Sequence, residues 1–252
     1  MASGTGNDAA AHSPLEQFEI KRIVPLEIFG YDISFTNSSM WMILTLAAAC
    51  AFLYFAMRGG GLIPTRLQSA AELVYEFIEK TVSDICGPEA KKFFPFIFTL
   101  FTFILAANTL GLLPGSFTVT SHLSVTLALA LLVFTIVTVV GFARNGLGYL
   151  KMFAPEGVPA LLMPLIVVIE VISYFMRPIS LSVRLFANMI AGHILLKVFA
   201  GFVVALGVTG GWAPLAFMIG FTGFELLVAA LQAFIFALLT CIYLNDALNM
   251  HH

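Results

Sequence analysis

The chain has 252 residues, 60% of them hydrophobic and 10% charged, with a net charge of −2. A water-facing surface needs roughly 25% charged residues, so most of this chain must meet lipid rather than water. The charge balance excludes a nucleic-acid or polyanion binder, and Cys50, Cys86 and Cys241 form no CxxC or Cys/His cluster to hold a metal or a disulfide.

In chain order, residues 1–39 are mixed and polar and lack the charged start, apolar block and cleavage site of a secretory signal. The membrane domain occupies 40–252, and its terminal His251 and His252 carry no weight. Crossing the hydrocarbon core takes ~20 mostly apolar residues in a helix. Residues 40–57 meet this, with Trp41 and Tyr54 near the ends. Residues 66–85 are amphipathic: Leu67, Ala70, Val74, Phe77, Ile78 and Val82 recur at helical spacing against Glu72, Glu76, Glu79, Lys80 and Asp84. Such a helix lies on the membrane surface or packs on a partner protein. Residues 93–113 form a second span with Pro95 in its first turn, and 121–142 a third, after an uncharged turn around Pro114-Gly115 in which water solvates His122.

The remaining apolar stretch, 158–245, is a hairpin of two overlong helices joined at Gly207–Pro214. From Val158 to Ala205 a straight helix would run ~70 Å, over twice the ~30 Å core, so it must tilt steeply or break, with Pro178 or Gly192 as breakpoints. The predicted class is therefore an all-α integral membrane protein with about five membrane helices and one surface amphipathic helix. Arg58, Arg66, Lys80, Lys91, Lys92, Arg144 and Lys151 cluster in the connections on one side, while the turns at 111–121 and 207–213 carry no Lys or Arg. By the positive-inside rule the first set is cytoplasmic, which puts the N-terminus outside and the C-terminus inside.

The hairpin carries Glu170, Arg177, Arg184, Asn188, His193, Lys197, Glu225 and Gln232. An ionisable group at the bilayer centre costs at least ~2.5–3.5 kcal/mol, so these residues face protein or water and mark a pathway. Arg184 and Asn188 share a helix face, and Glu170, Arg177 and Arg184 repeat every seven residues as one stripe. Folding the hairpin about Gly210 brings His193 to within ~3 Å of the depth of Glu225, and Arg184 to within ~6 Å of that of Gln232. A histidine beside a carboxylate passes protons near neutrality. An arginine keeps its proton and acts as a fixed barrier. Glu170 reads either as an acid on the far side of that barrier or as a packing partner of Arg177. Asn188 and Gln232 also suit interhelical hydrogen bonding, and Lys197 suits snorkelling. No paired repeat supports a secondary transporter, and no HExxH, GxSxG or P-loop supports an intramembrane enzyme.

The stretch Ser180-Leu-Ser-Val-Arg-Leu-Phe-Ala-Asn-Met-Ile-Ala-Gly-His193, with Pro178 before it and Glu225 and Gln232 after, resembles the signature of F-type ATP synthase subunit a. Asn108–Pro114 and the segment from Pro14 to Glu19 add to the likeness. The resemblance implies a non-catalytic stator subunit facing a c-subunit ring, held by b subunits of the peripheral stalk within the ATP synthase complex and bilayer. Arg184 matches the family's essential arginine, and Asn188 and Gln232 match polar positions near it. His193 and Glu225 match the pair lining the outside half-channel, and Glu170 matches an acid of the cytoplasmic one. The order of His and Glu looks alphaproteobacterial or mitochondrial. It implies a bacterial plasma membrane, with the mitochondrial inner membrane as alternative. No cofactor, nucleotide site or nucleic acid is expected on this chain.

Overall fold

The computed structural model describes residues 22–25, 27–28, 31–32, 34–58, 64–113, 116–154, 159 and 161–249. The segment from Pro14 to Glu19, the Pro114-Gly115 turn, Val158 and the terminal histidines lie outside these residues. Two short antiparallel ribbons come first, pairing β1 (Arg22–Val24) with β4 (Phe35–Thr36) and β2 (Glu27–Ile28) with β3 (Tyr31–Asp32). They were not anticipated, because two-residue strands leave no alternation long enough to read.

The described elements after them are all helical. The elements are α1 (Asn37–Met57), α2 (Arg66–Cys86), α3 (Phe94–Gly111), α4 (Leu123–Asn145), α5 (Met163–Gly210) and α6 (Trp212–Leu248), with short 3₁₀ segments between. Among the described residues, five stretches are long and apolar enough to cross a membrane: Asn37–Met57, Lys91–Gly111, Leu123–Phe153, Met163–Gly210 and Trp212–Leu248. Thr36 and Thr65 cap α1 and α2 by accepting the backbone N–H groups of Ser39 and Gln68.

The amphipathic helix α2 packs against α6, α3 and α1 of its own chain, not only against an outside surface. Its buried line is Ala71, Ile78, Val82 and Cys86, whereas Leu67 and Phe77 stay exposed. The thiol of Cys86 donates to the Cys241 carbonyl of α6 at 3.0 Å and pins the two helices together.

Helix α6 is the centre of the bundle and contacts α2, α3, α4 and α5. Ala229, Ala233, Ala237 and Cys241 recur every four residues and are almost fully buried. Lipid gives helices no hydrophobic reason to associate, so small residues at the seam, which let backbones approach, supply the packing. Larger side chains then fill the space around them, with Ile97, Ile104, Val133, Leu185, Met189, Phe236 and Leu244 all deeply buried.

The long helix does not break at Pro178 or Gly192. Helical geometry runs through both, and the non-helical residue is Gly207, at φ 55° and ψ −154°. Pro178 removes one ladder hydrogen bond, yet it is buried and helical backbone angles continue through it. Gly207 can leave the helix because it lacks a Cβ, and this conformation is essentially restricted to glycine. The helix ladder resumes when the Gly211 N–H reaches the Gly207 carbonyl at 2.9 Å, and α6 starts at once. Gly207→Ala should therefore destabilise the hairpin by roughly 1–3 kcal/mol, whereas Gly220→Ala, in open space on α6, should not. The measure is the fraction of assembled complex that survives heating in detergent.

A candidate proton site in the helical hairpin

Near the Gly207 end, α5 carries Gly192 and His193, and α6 carries Glu225. Glu225 is only 5% exposed. His193 Nδ1 lies 3.2 Å from its Oε1. The same Nδ1 faces the Met189 carbonyl one turn back at 2.9 Å, so the ring's N–H direction is shared. Neither carboxylate oxygen receives an aligned hydrogen bond from a described residue. Gly192 makes the approach possible: a Cβ there would collide with the Glu225 carboxylate. The depth match between His193 and Glu225 expected from residue counting is thus met by direct contact.

The other ring nitrogen reaches a different part of the chain. Nε2 is 2.9 Å from the carbonyl of Gly111, the last residue of α3, and 2.8 Å from the Thr118 hydroxyl. Helix ends leave their last carbonyls without intrahelical donors. Gly111 therefore offers an acceptor that His193, Ser116 (2.9 Å) and Thr118 (3.2 Å) all use. Sequence reasoning missed these turn residues, although the break from apolar helix to Ser116, Thr118, Thr120 and Ser121 was a visible signal. Asn108, fully buried on α3, completes the support. It donates to the Ala229 carbonyl of α6 at 3.2 Å and accepts from Thr120 at 2.8 Å. Ala229 lies one turn beyond Glu225, so this amide helps set the rotation of α6 that aims the carboxylate.

His122 is half-buried rather than simply solvated. Its ring stacks on Phe117 at 4.9 Å, and its Nε2 is buried with no hydrogen-bond partner among the described residues. Burial lowers its pKa below the ordinary imidazole value.

At the far end of the hairpin Arg177 does not pair with Glu170. Its guanidinium meets Asp246 of α6 at 3.5 Å and lies over the rings of Tyr243 and Tyr174, at 4.9 and 5.8 Å. The seven-residue spacing put Glu170 and Arg177 on one stripe, but they are two turns apart, and α6 offers an acid at the right level. Tyr174 also bonds Thr138 (2.5 Å) and Tyr149 (3.2 Å), so the polar groups at this end are linked to one another. Glu170 and Lys197 are half-buried, and neither pairs with an opposite charge among the described residues.

Arg184 lies between the two ends. It is exposed and has no ion pair, hydrogen bond or ring contact among the described residues. Ser180, Val183, Ala187 and Ala191 share its exposed face of α5. Asn188 and Gln232 are half-buried, and their amides hydrogen-bond to no described residue.

Fold and site together define a multi-pass membrane protein whose two longest helices enclose a buried imidazole–carboxylate pair and present outward an arginine with no partner among the described residues. Residues 39–245 match the family model described as ATP synthase A chain. The chain is 57% identical over 248 residues to ATP synthase subunit a of Chelativorans sp. strain BNC1, covering 96% of this chain and 100% of that protein. It is 57% identical over 240 residues to that of Rhodospirillum rubrum, with 95% and 100% covered. Against that of Pelagibacter ubique it is 54% identical over 243 residues, with 96% and 100% covered. The chain belongs to the ATP synthase subunit a family, the proton-translocating membrane sector of F-type ATP synthases.

Gly192→Ala should push the Glu225 carboxylate out of contact with His193. Proton flux per assembled complex should fall, while Gly201→Ala on the same helix, which meets open space, should leave it unchanged. Asn108→Leu should cost about 1–3 kcal/mol of stability by stranding the Thr120 hydroxyl, read as a lower melting midpoint of the purified complex.

Proposed function

We propose that this chain is the stator of a rotary proton path, providing two offset half-channels that meet a ring of c subunits on either side of Arg184. The observation that carries this reading is the exposed Arg184 guanidinium, which no acid of this chain neutralises among the described residues. A bare guanidinium facing hydrocarbon is expensive, so its partner belongs to another subunit. The small side chains of Ser180, Ala187 and Ala191 on the same face let another helix backbone come close. A ring of c subunits, each bearing one membrane carboxylate, meets both requirements.

A proton enters from outside, passes the His193–Glu225 pair and neutralises a c-ring carboxylate. The neutral site then turns into lipid, because the desolvation cost of its charge has gone. An ionised carboxylate returns towards Arg184, which attracts it and cannot itself pass a proton. The released proton leaves past Glu170, with Asn188 and Gln232 as polar groups beside the arginine. Each charge crossing the potential supplies ~2.3 kcal/mol per 100 mV to drive rotation. Nucleotide chemistry belongs to other chains of the complex, and b subunits of the peripheral stalk hold this one against the torque. The N-terminus lies outside and the C-terminus in the cytoplasm of a bacterial plasma membrane.

Arg184→Ala at matched complex assembly is expected to abolish ATP-driven acidification of inverted membrane vesicles. Normal acidification by that variant would overturn the reading.

A further inference from the structure

A hydroxyl that touches His193 comes from outside the hairpin. Thr118 is 3% exposed, and its Oγ1 lies between two groups, 3.2 Å from the Gly111 carbonyl and 2.8 Å from His193 Nε2. Donating its proton to Gly111 satisfies the hydroxyl as a donor, and its lone pairs remain for the ring. The position is built in: Gly111 has no side chain, and a Cβ there would lie 2.8 Å from the Thr118 methyl carbon. Ser121 Oγ in turn donates to the Thr118 carbonyl at 2.6 Å and fixes the turn from the other side.

From this geometry we propose that Thr118 is a positioning residue for the proton path, holding Nε2 of His193 so that Nδ1 stays turned to Glu225. The imidazole can swing about two side-chain bonds, and its Nδ1 contacts alone do not distinguish Met189 from Glu225. Anchoring the opposite nitrogen on α3 and its following turn removes that freedom. It also makes the turn after α3 part of the site, although none of its residues is ionisable until His122. The inference rests on the reading of His193 and Glu225 as a proton-conducting pair.

The test is passive proton flux, driven by a potassium diffusion potential, through vesicles whose complexes have been stripped of the soluble head. Flux is normalised to assembled complex. Thr118→Val keeps the shape and removes the hydroxyl, and should lower flux about tenfold, the scale of one lost hydrogen bond at a positioned group. Thr118→Ser should restore flux to within about twofold of the parent, because the hydroxyl suffices. Thr126→Val removes another buried hydroxyl, bonded to Ser182 at 3.1 Å, and should leave flux near the parent level. Thr118→Ala, which cannot clash, repeats the measurement should the valine variant not assemble. Parent-level flux in Thr118→Val or Thr118→Ala, a serine variant as impaired as the valine one, or an equal loss in Thr126→Val would overturn the proposal. Glu225→Gln separates the two levels of inference. If it conducts normally, the underlying reading fails. If it is blocked while the Thr118 variants conduct fully, only the positioning role fails.

Discussion

Hydrocarbon offers no hydrogen bonds, and every polar group carried into it must find a partner inside the protein or in a neighbouring one. This constraint accounts for the backbone, which is helical along each apolar span. It also accounts for the side chains that look misplaced in the spans. Thr45, Thr99, Thr102, Thr135, Thr138, Thr222 and Thr240 each return their hydroxyl to the carbonyl four residues back. Asn108 and Asn145 reach across to α6 backbone carbonyls at 3.2 and 2.8 Å. Polar groups satisfied in this way are structural, and they tie α3 and α4 to the central helix.

The groups that the chain leaves unsatisfied stand out against that background. Arg177 and Arg184 are seven residues apart on one helix and carry the same charge. Arg177 is partnered by Asp246, Tyr174 and Tyr243, and Arg184 by nothing among the described residues. Glu225 is buried against Gly192 with a histidine at ion-pair distance but no aligned donor. A structural ion pair is worth keeping only when its remaining hydrogen bonds are met. The incomplete satisfaction of Arg184 and Glu225 contrasts with the threonines and asparagines above, and it supports the proposed exchange of charge partners at these two residues.

Close approach carries the geometry of the site. Alanines at every fourth position of α6 allow α3, α4 and α5 to crowd around it, and Gly192 lets the Glu225 carboxylate lie on the backbone of α5. Asn108 then locks the rotation of α6, while Gly207 allows the chain to reverse with almost no loop. Small residues position the charged ones, although none of them carries chemistry.

Much of this was legible from residues alone. Composition dictated lipid as solvent, length and apolar run dictated five spans, and residue counting from the turn matched His193 with Glu225 in depth. Those properties follow from local periodicity and from the fixed rise of a helix. Other features depended on which groups meet when helices rotate about their axes, and a rise per residue carries no such information. Glu170 and Arg177 shared a stripe, yet Arg177 chose Asp246 on another helix. Pro178 and Gly192 looked like breakpoints, yet the helix continued through them and Gly207 turned instead. His122 sat in a polar turn, yet Phe117 stacks on its ring and its Nε2 is buried. The attachment of His193 to Gly111 and Thr118 joins residues about 80 positions apart in the chain. Only the packing of α3 against the hairpin decided it, because the free carbonyls at a helix end take whichever donor the tertiary fold brings to them.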